Sequence, residues 1–164
     1  MNMKTWTVTG LCFLAIAAPL LQAQDMAGRG PARPIVFSVS AGLMFDSENA
    51  GLAQWSLDLS AGIRLGRHFQ LSPEMMFAGS PGYSFFYPGI ILNVTGRRVF
   101  AGAGLVKPVE MAGYGDTALA AKFVLGFVRG PIILTGFFMG SVETDEFTSL
   151  FDHYRIGLTA GFRF

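Results

Sequence analysis

The chain has one cysteine, Cys12, and it lies inside the apolar stretch near the start, with Phe13, Leu14 and Ile16 following it. A lipoprotein attachment cysteine would close such a stretch, so lipidation is not expected. Met1 to Lys4 form a short charged start, apolar residues run to Leu21, and Leu21-Gln22-Ala23 offers a small residue for a signal peptidase. Residues 1–23 therefore read as a secretory signal peptide. Cleavage after Ala23 leaves no cysteine, which excludes disulfides and thiol chemistry in any redox compartment.

Long apolar runs are missing as well. Beyond the signal no stretch of about twenty apolar residues is free of charge, so a helical membrane span is excluded. The nearest candidate, FVLGFVRGPIILTGFFMG at 123–140, is broken by Arg129, Gly130 and Pro131, a turn between two apolar strands. Charge is sparse and nearly balanced, with 12 Lys and Arg against 11 Asp and Glu. No basic face supports nucleic-acid binding. Zinc-type ligand spacing and phosphate-binding glycine loops are also absent, so neither metal nor cofactor is expected.

What remains is apolar and glycine-rich: 51% of residues are hydrophobic, 21 are glycine, and the mean hydropathy is positive. For a secreted chain without a spanning helix, a closed β-barrel satisfies every backbone donor and acceptor between neighbouring strands in lipid. The periodicity agrees. Residues 24–34 form a flexible leader without alternation. From Ile35 the parity is two: Ile35, Phe37, Val39, Ala41, Leu43 and Phe45 face one way, and Val36, Ser38, Ser40, Gly42 and Met44 the other. The second strand, Gln54 to Leu65, sets Trp55, Leu57, Leu59, Ala61, Ile63 and Leu65 against Gln54, Ser56, Asp58, Ser60, Gly62 and Arg64.

Further strands are expected at 69–78, where Pro73 predicts a bulge, at 85–94 after a GSPGYS loop, and at 99–106. The last three are expected at 119–127, 132–139 and 153–164. The final strand alternates to Phe164. Eight strands of about 9 to 11 residues use on the order of 70 to 90 residues and leave room for seven connections. The connections alternate between short turns (GRH, TGRR, RGP) and longer loops (DSENAGLA, KPVEMAGYGDT, GSVETDEFTSL). The sequence thus predicts an all-β, eight-stranded, antiparallel up-and-down transmembrane β-barrel over 35–164, with short turns and both termini in the periplasm. Its rival is a soluble lipocalin-like barrel, which would turn the apolar parity inward.

Charges sort with the connections. Arg67, Arg97, Arg98 and Arg129 lie at short turns. Asp46, Glu48, Glu110, Asp116, Glu143, Asp145 and Glu146 lie in long loops, with Lys107 the exception. These charges read first as solvated connections; the alternative is an acidic rim that recruits divalent cations, cationic ligands or a surface partner.

LSPEMMF, FAGAGL and the terminal GLTAGFRF resemble the small eight-stranded outer-membrane β-barrel family, the OmpX-like and OmpA-transmembrane-like proteins and the porin-family β-barrel domain. The resemblance spans Ile35 to Phe164. It implies location in the outer membrane of a Gram-negative bacterium, with outer-membrane lipid and the barrel-assembly machinery as partners. Phe162 and Phe164 match that machinery's terminal aromatic signal. The glycine expected five residues before the end is Thr159 here, with Gly157 and Gly161 on either side.

By parity Asp58, Arg64, Glu74, Lys122, Arg155 and Arg163 point inward. In so narrow a barrel they are expected to form an interior polar network rather than line a pore. The expected role is structural or surface interaction, without catalysis. One alternative is a lipid A-modifying enzyme built on Ser149 and His153, with Glu146 or Asp152 nearby, although the Ser and His spacing departs from the two-residue deacylase pattern. A narrow channel is the other. His68, in a turn, reads as solvated.

Overall fold

A computed structural model of the chain describes residues 35–47, 53–80, 83–111, 118–142 and 153–164. The expected signal peptide, the leader and most acidic loop residues lie outside the described residues. Nine strand segments follow in order: β1 (Ile35–Asp46), β2 (Ala53–Arg64), β3 (Phe69–Ser80), β4 (Tyr83–Thr95), β5 (Val99–Val106), β6 (Val109–Glu110), β7 (Leu119–Arg129), β8 (Ile132–Val142) and β9 (Tyr154–Arg163). Each pairs antiparallel with its neighbours, and β1 pairs with β9 from Ser38–Arg163 to Asp46–Arg155. That seam closes the sheet, so no edge is left unpaired along it.

The nine segments make eight staves, because β5 and β6 are one strand interrupted. Both lie on β4 in one register: Gly89 faces Val106, and Phe86 faces Val109. Between them Lys107 and Pro108 drop out of regular strand geometry beside Pro88. Proline supplies no donor, and the Lys107 amide bonds to the Pro88 carbonyl at 2.9 Å across the gap. The all-antiparallel, closed, eight-stave barrel is the architecture expected from the sequence.

Two local expectations change. Pro73 makes no bulge: β3 keeps one uninterrupted register against β4, with Pro73 facing Ile90. On the β2 side the ladder stops after Ser60–Glu74 and resumes in register at Ile63–Leu71. The missing proline donor therefore costs local ladder pairing, not an extra residue. The GSPGYS loop is also shorter than expected, since β3 extends to Ser80 and β4 begins at Tyr83.

The three tight turns lie at one end, here termed the turn end. Gly66 and Gly130 take positive φ values of 115° and 60°, which only glycine adopts without strain. The opposite end, from which the longer connections depart, is the loop end. At the turn end the last residues are tied down: the Arg163 amide donates to the Pro131 carbonyl at 2.7 Å and the Phe164 amide to the Phe37 carbonyl at 2.8 Å.

The outward parity is the apolar one. Phe37, Leu43, Trp55, Leu125, Leu158 and Phe162 are each about half exposed, and similar residues stand on every long stave. An apolar belt this continuous is stable against hydrocarbon and not against water. This orientation removes the lipocalin-like rival, which needs apolar side chains inside.

Inside, large side chains lie over glycines on the adjacent stave. A Cβ at Gly126 would meet the Phe100 ring, one at Gly157 the Phe137 ring, and one at Gly102 the Asn93 side chain. Small residues opposite large ones fill an eight-stranded interior without widening it.

Candidate functional site

The lumen divides into three levels. Nearest the turn end it is lined by hydroxyl and amide groups. Ser38 and Ser60 share a 2.6 Å hydrogen bond, the Ser40 hydroxyl donates to Thr159, and the Gln70 and Asn93 amides both donate to the Ser72 hydroxyl at 3.0 and 2.8 Å. Apart from Gln70 and Ser72, which follow one another at inward positions of β3, these partners sit at inward positions of neighbouring staves, so strand pairing brings them together. A cavity of about 70 Å3 runs among them, bounded by Asp58 and Glu74 and by Arg163.

At the middle level Lys122 of β7 is fully buried. Its Nζ donates to Glu74 Oε1 of β3 at 2.7 Å and to Asp58 Oδ2 of β2 at 3.3 Å. The same ammonium stands 4.9 Å from the centre of the Phe137 ring and 3.8 Å from Met76 Sδ. Two carboxylates and one ammonium leave this buried group with one negative charge in excess when all are ionised.

Above it the lumen is filled by Met44, Met76, Tyr87, Phe137 and Met139, all buried. Methionine fills irregular gaps well and packs against aromatic edges. The plug is not among the interior residues expected from the sequence, where only charged side chains are placed in the lumen network. Its signal was nevertheless there, since all five residues take the inward parity. Above the plug, Arg155 Nε donates to Asp46 Oδ2 at 2.7 Å, and its guanidinium lies 5.7 and 5.9 Å from the Phe85 and Tyr87 ring centres. A mouth of about 240 Å3 opens beside this pair at the loop end. It shares no lining residue with the turn-end cavity, and Lys122 lines neither.

The six charged residues read as interior from the sequence thus fall into separate places. Asp58, Glu74 and Lys122 meet in one cluster, and Arg155 pairs with Asp46 nearer the loop end. Arg64 is exposed and Arg163 half-buried at the turn end, and neither has a carboxylate partner among the described residues. Phe162 and Phe164 face outward at the turn end, and Gly157 gives the Phe137 ring its space. Ser149 lies outside the described residues, while His153 borders the loop-end mouth. Among the described residues no group of three His, Cys, Asp or Glu could hold a metal ion. His68 accepts the Thr95 amide through its carbonyl at 2.7 Å, and its Nδ1 is buried without a partner.

No protein-family profile matches the sequence. No characterised protein matches it at the sequence level. Solved structures do match in fold. Neisserial surface protein A superposes with a TM-score of 0.57 at 14% identity, covering 82% of this chain and 98% of that one. A barrel from the de novo design of transmembrane β-barrels superposes with a TM-score of 0.56 at 8% identity, covering 81% and 98%. The fold is that of the small eight-stranded outer-membrane β-barrels.

Proposed function

We propose that the chain is an outer-membrane barrel with a filled lumen, which presents its loop end, and the acidic residues of its long loops, to partners at the cell surface. The observation that carries this reading is the combination of an apolar outer belt on all sides with a lumen closed by Lys122 and the methionine and aromatic plug. The belt requires lipid and the plug argues against conduction. The activity is therefore left to the loop end. The fold shared with a Neisserial surface protein agrees with a place at the cell surface. In this reading the short turns and both termini face the periplasm. The acidic rim would attract divalent cations or cationic groups.

The test is gel mobility of the protein from isolated outer membranes, with and without boiling in detergent. A shift on boiling is expected, because a closed barrel resists detergent until heated. A protein found in the soluble periplasmic fraction, with no shift, would overturn the reading.

Assembly is proposed to depend on the terminal strand, with Phe162, Phe164 and Gly157 as the signal read by the barrel-assembly machinery. Deleting Phe164 removes an outward aromatic and the amide that bonds to the Phe37 carbonyl. A lower amount of heat-modifiable barrel in the membrane is expected. Equal folded yield from the truncated and intact proteins would refute it.

A further inference from the structure

Six arginines gather at the turn end: Arg64, Arg67, Arg97, Arg98, Arg129 and Arg163. Arg163 and Arg64 flank the β1 sector on β9 and β2. Arg67 lies in the β2–β3 turn, Arg97 and Arg98 in the β4–β5 turn, and Arg129 at the β7–β8 turn. The positions circle the barrel. Five are exposed and Arg163 is half-buried.

Among the described residues no Asp or Glu accompanies them. The described residues include four acids, of which Asp58 and Glu74 lie at the middle of the lumen and Asp46 and Glu110 toward the loop end. None of the six arginines has an ion pair with Asp or Glu among the described residues, whereas Lys122 and Arg155 do. Directly beside the ring, at the edge of the outer belt, stand the exposed apolar residues Leu65, Phe69, Phe127, Ile132 and Phe162.

This is the geometry of a headgroup layer. At the rim of the apolar belt Arg67, Arg97, Arg98 and Arg129 can lay their methylene stems on apolar surface and carry their guanidinium groups into the polar zone, while Arg64 and Arg163 add positive charge from the lumen end. There the planar fork matches a phosphate with two parallel hydrogen bonds. Each basic residue near an anionic leaflet gains on the order of 1 kcal/mol, while like charges with no partner repel one another.

We propose that the turn end is a lipid-recognition collar, in which the ring of arginines selects anionic phospholipid headgroups over zwitterionic ones in the leaflet it faces. This rests on the reading of the chain as a membrane barrel. It adds the class of lipid bound and the residues that bind it.

The test reconstitutes the folded protein in vesicles of equal phosphatidylglycerol and phosphatidylcholine, extracts it gently, and counts retained lipids by native mass spectrometry. Phosphatidylglycerol is expected to be enriched about fivefold among the first lipids retained. The enrichment should fall as salt rises and persist against excess inorganic phosphate, which cannot also use the apolar belt. The variant carrying Arg67→Gln, Arg97→Gln, Arg98→Gln and Arg129→Gln should return to the bulk ratio, whereas Lys107→Gln should keep the enrichment. A bulk ratio in the intact protein, or enrichment insensitive to both salt and the fourfold change, would overturn the proposal. Loss of enrichment in inorganic phosphate would overturn it too, by making the collar a site for the free ion.

Should the fourfold variant fail to show heat-modifiable mobility, the salt dependence of the intact protein decides. Thiol labelling of the Arg97→Cys variant in whole cells separates this proposal from the one beneath it. Labelling from outside the cell would remove the periplasmic assignment of the turn end without touching its lipid preference.

Discussion

Lys122→Met is expected to lower the unfolding free energy of the barrel by about 3 to 5 kcal/mol, the cost of leaving buried carboxylates without their cation. Lys122 is fully buried and is the ammonium held by both Glu74, at 2.7 Å, and Asp58, at 3.3 Å. Methionine would replace the stem and leave two carboxylates facing each other in a narrow lumen. The loss should be recovered in large part by adding Glu74→Gln and Asp58→Asn, because the pair term disappears once neither partner is charged. Urea unfolding in lipid vesicles, followed by the boiled and unboiled gel forms, measures both. An unchanged midpoint for Lys122→Met would show that the cluster contributes nothing to the fold.

The second large effect is expected at the seam. Gly42 of β1 faces Thr159 of β9. A Cβ there would run into the Leu158 carbonyl oxygen and stand 2.7 Å from the Thr159 Cα. Both obstacles are backbone, so no rotamer change relieves them. Gly42→Ala must push the closing strands apart, at a cost at or above the upper end of the 1 to 3 kcal/mol typical of overpacking. A collapse in the yield of heat-modifiable barrel is expected. Gly136→Ala is the matched control, because its nearest obstacle is the Leu125 carbonyl oxygen at 3.8 Å. Equal yields from the two variants would show that β1 and β9 close without the contact Gly42 permits.

Much of this architecture was legible in the sequence, and the reason is the solvent. Lipid on one side and a filled lumen on the other impose opposite demands on successive residues, so β1 and β2 could be assigned residue by residue. Strand number followed from chain length. Proline was harder to read. Whether Pro73 forces a bulge depends on which neighbour its missing donor faces, and that is set by register. The interruption between β5 and β6 arises because Pro88 and Pro108 come side by side only when β4 and β5 pair as they do.

Inward direction was readable for Asp58, Glu74, Lys122 and Arg155 but not for Asp46, which was expected in a loop and is instead the buried last residue of β1, and the partners were not readable at all. Lys122 finds Glu74 and Asp58 across 48 and 64 positions of sequence, and Arg155 finds Asp46 across 109. Those meetings are fixed by the stagger of the staves around the barrel, a property of the closed sheet that no single strand contains. The same holds for the plug. Parity placed Met44 and Met76 inside, yet only closure sets them at one height with Tyr87 and Phe137.

The unequal filling of the lumen gives the buried charges a sidedness. Asp58 and Glu74 border the hydroxyl-lined cavity that runs toward the turn end, while the loop-end mouth stops at the methionine and aromatic layer and touches neither. The hydroxyl-lined cavity thus meets these two carboxylates from the turn-end side, and the methionine and aromatic layer separates them from the loop-end mouth.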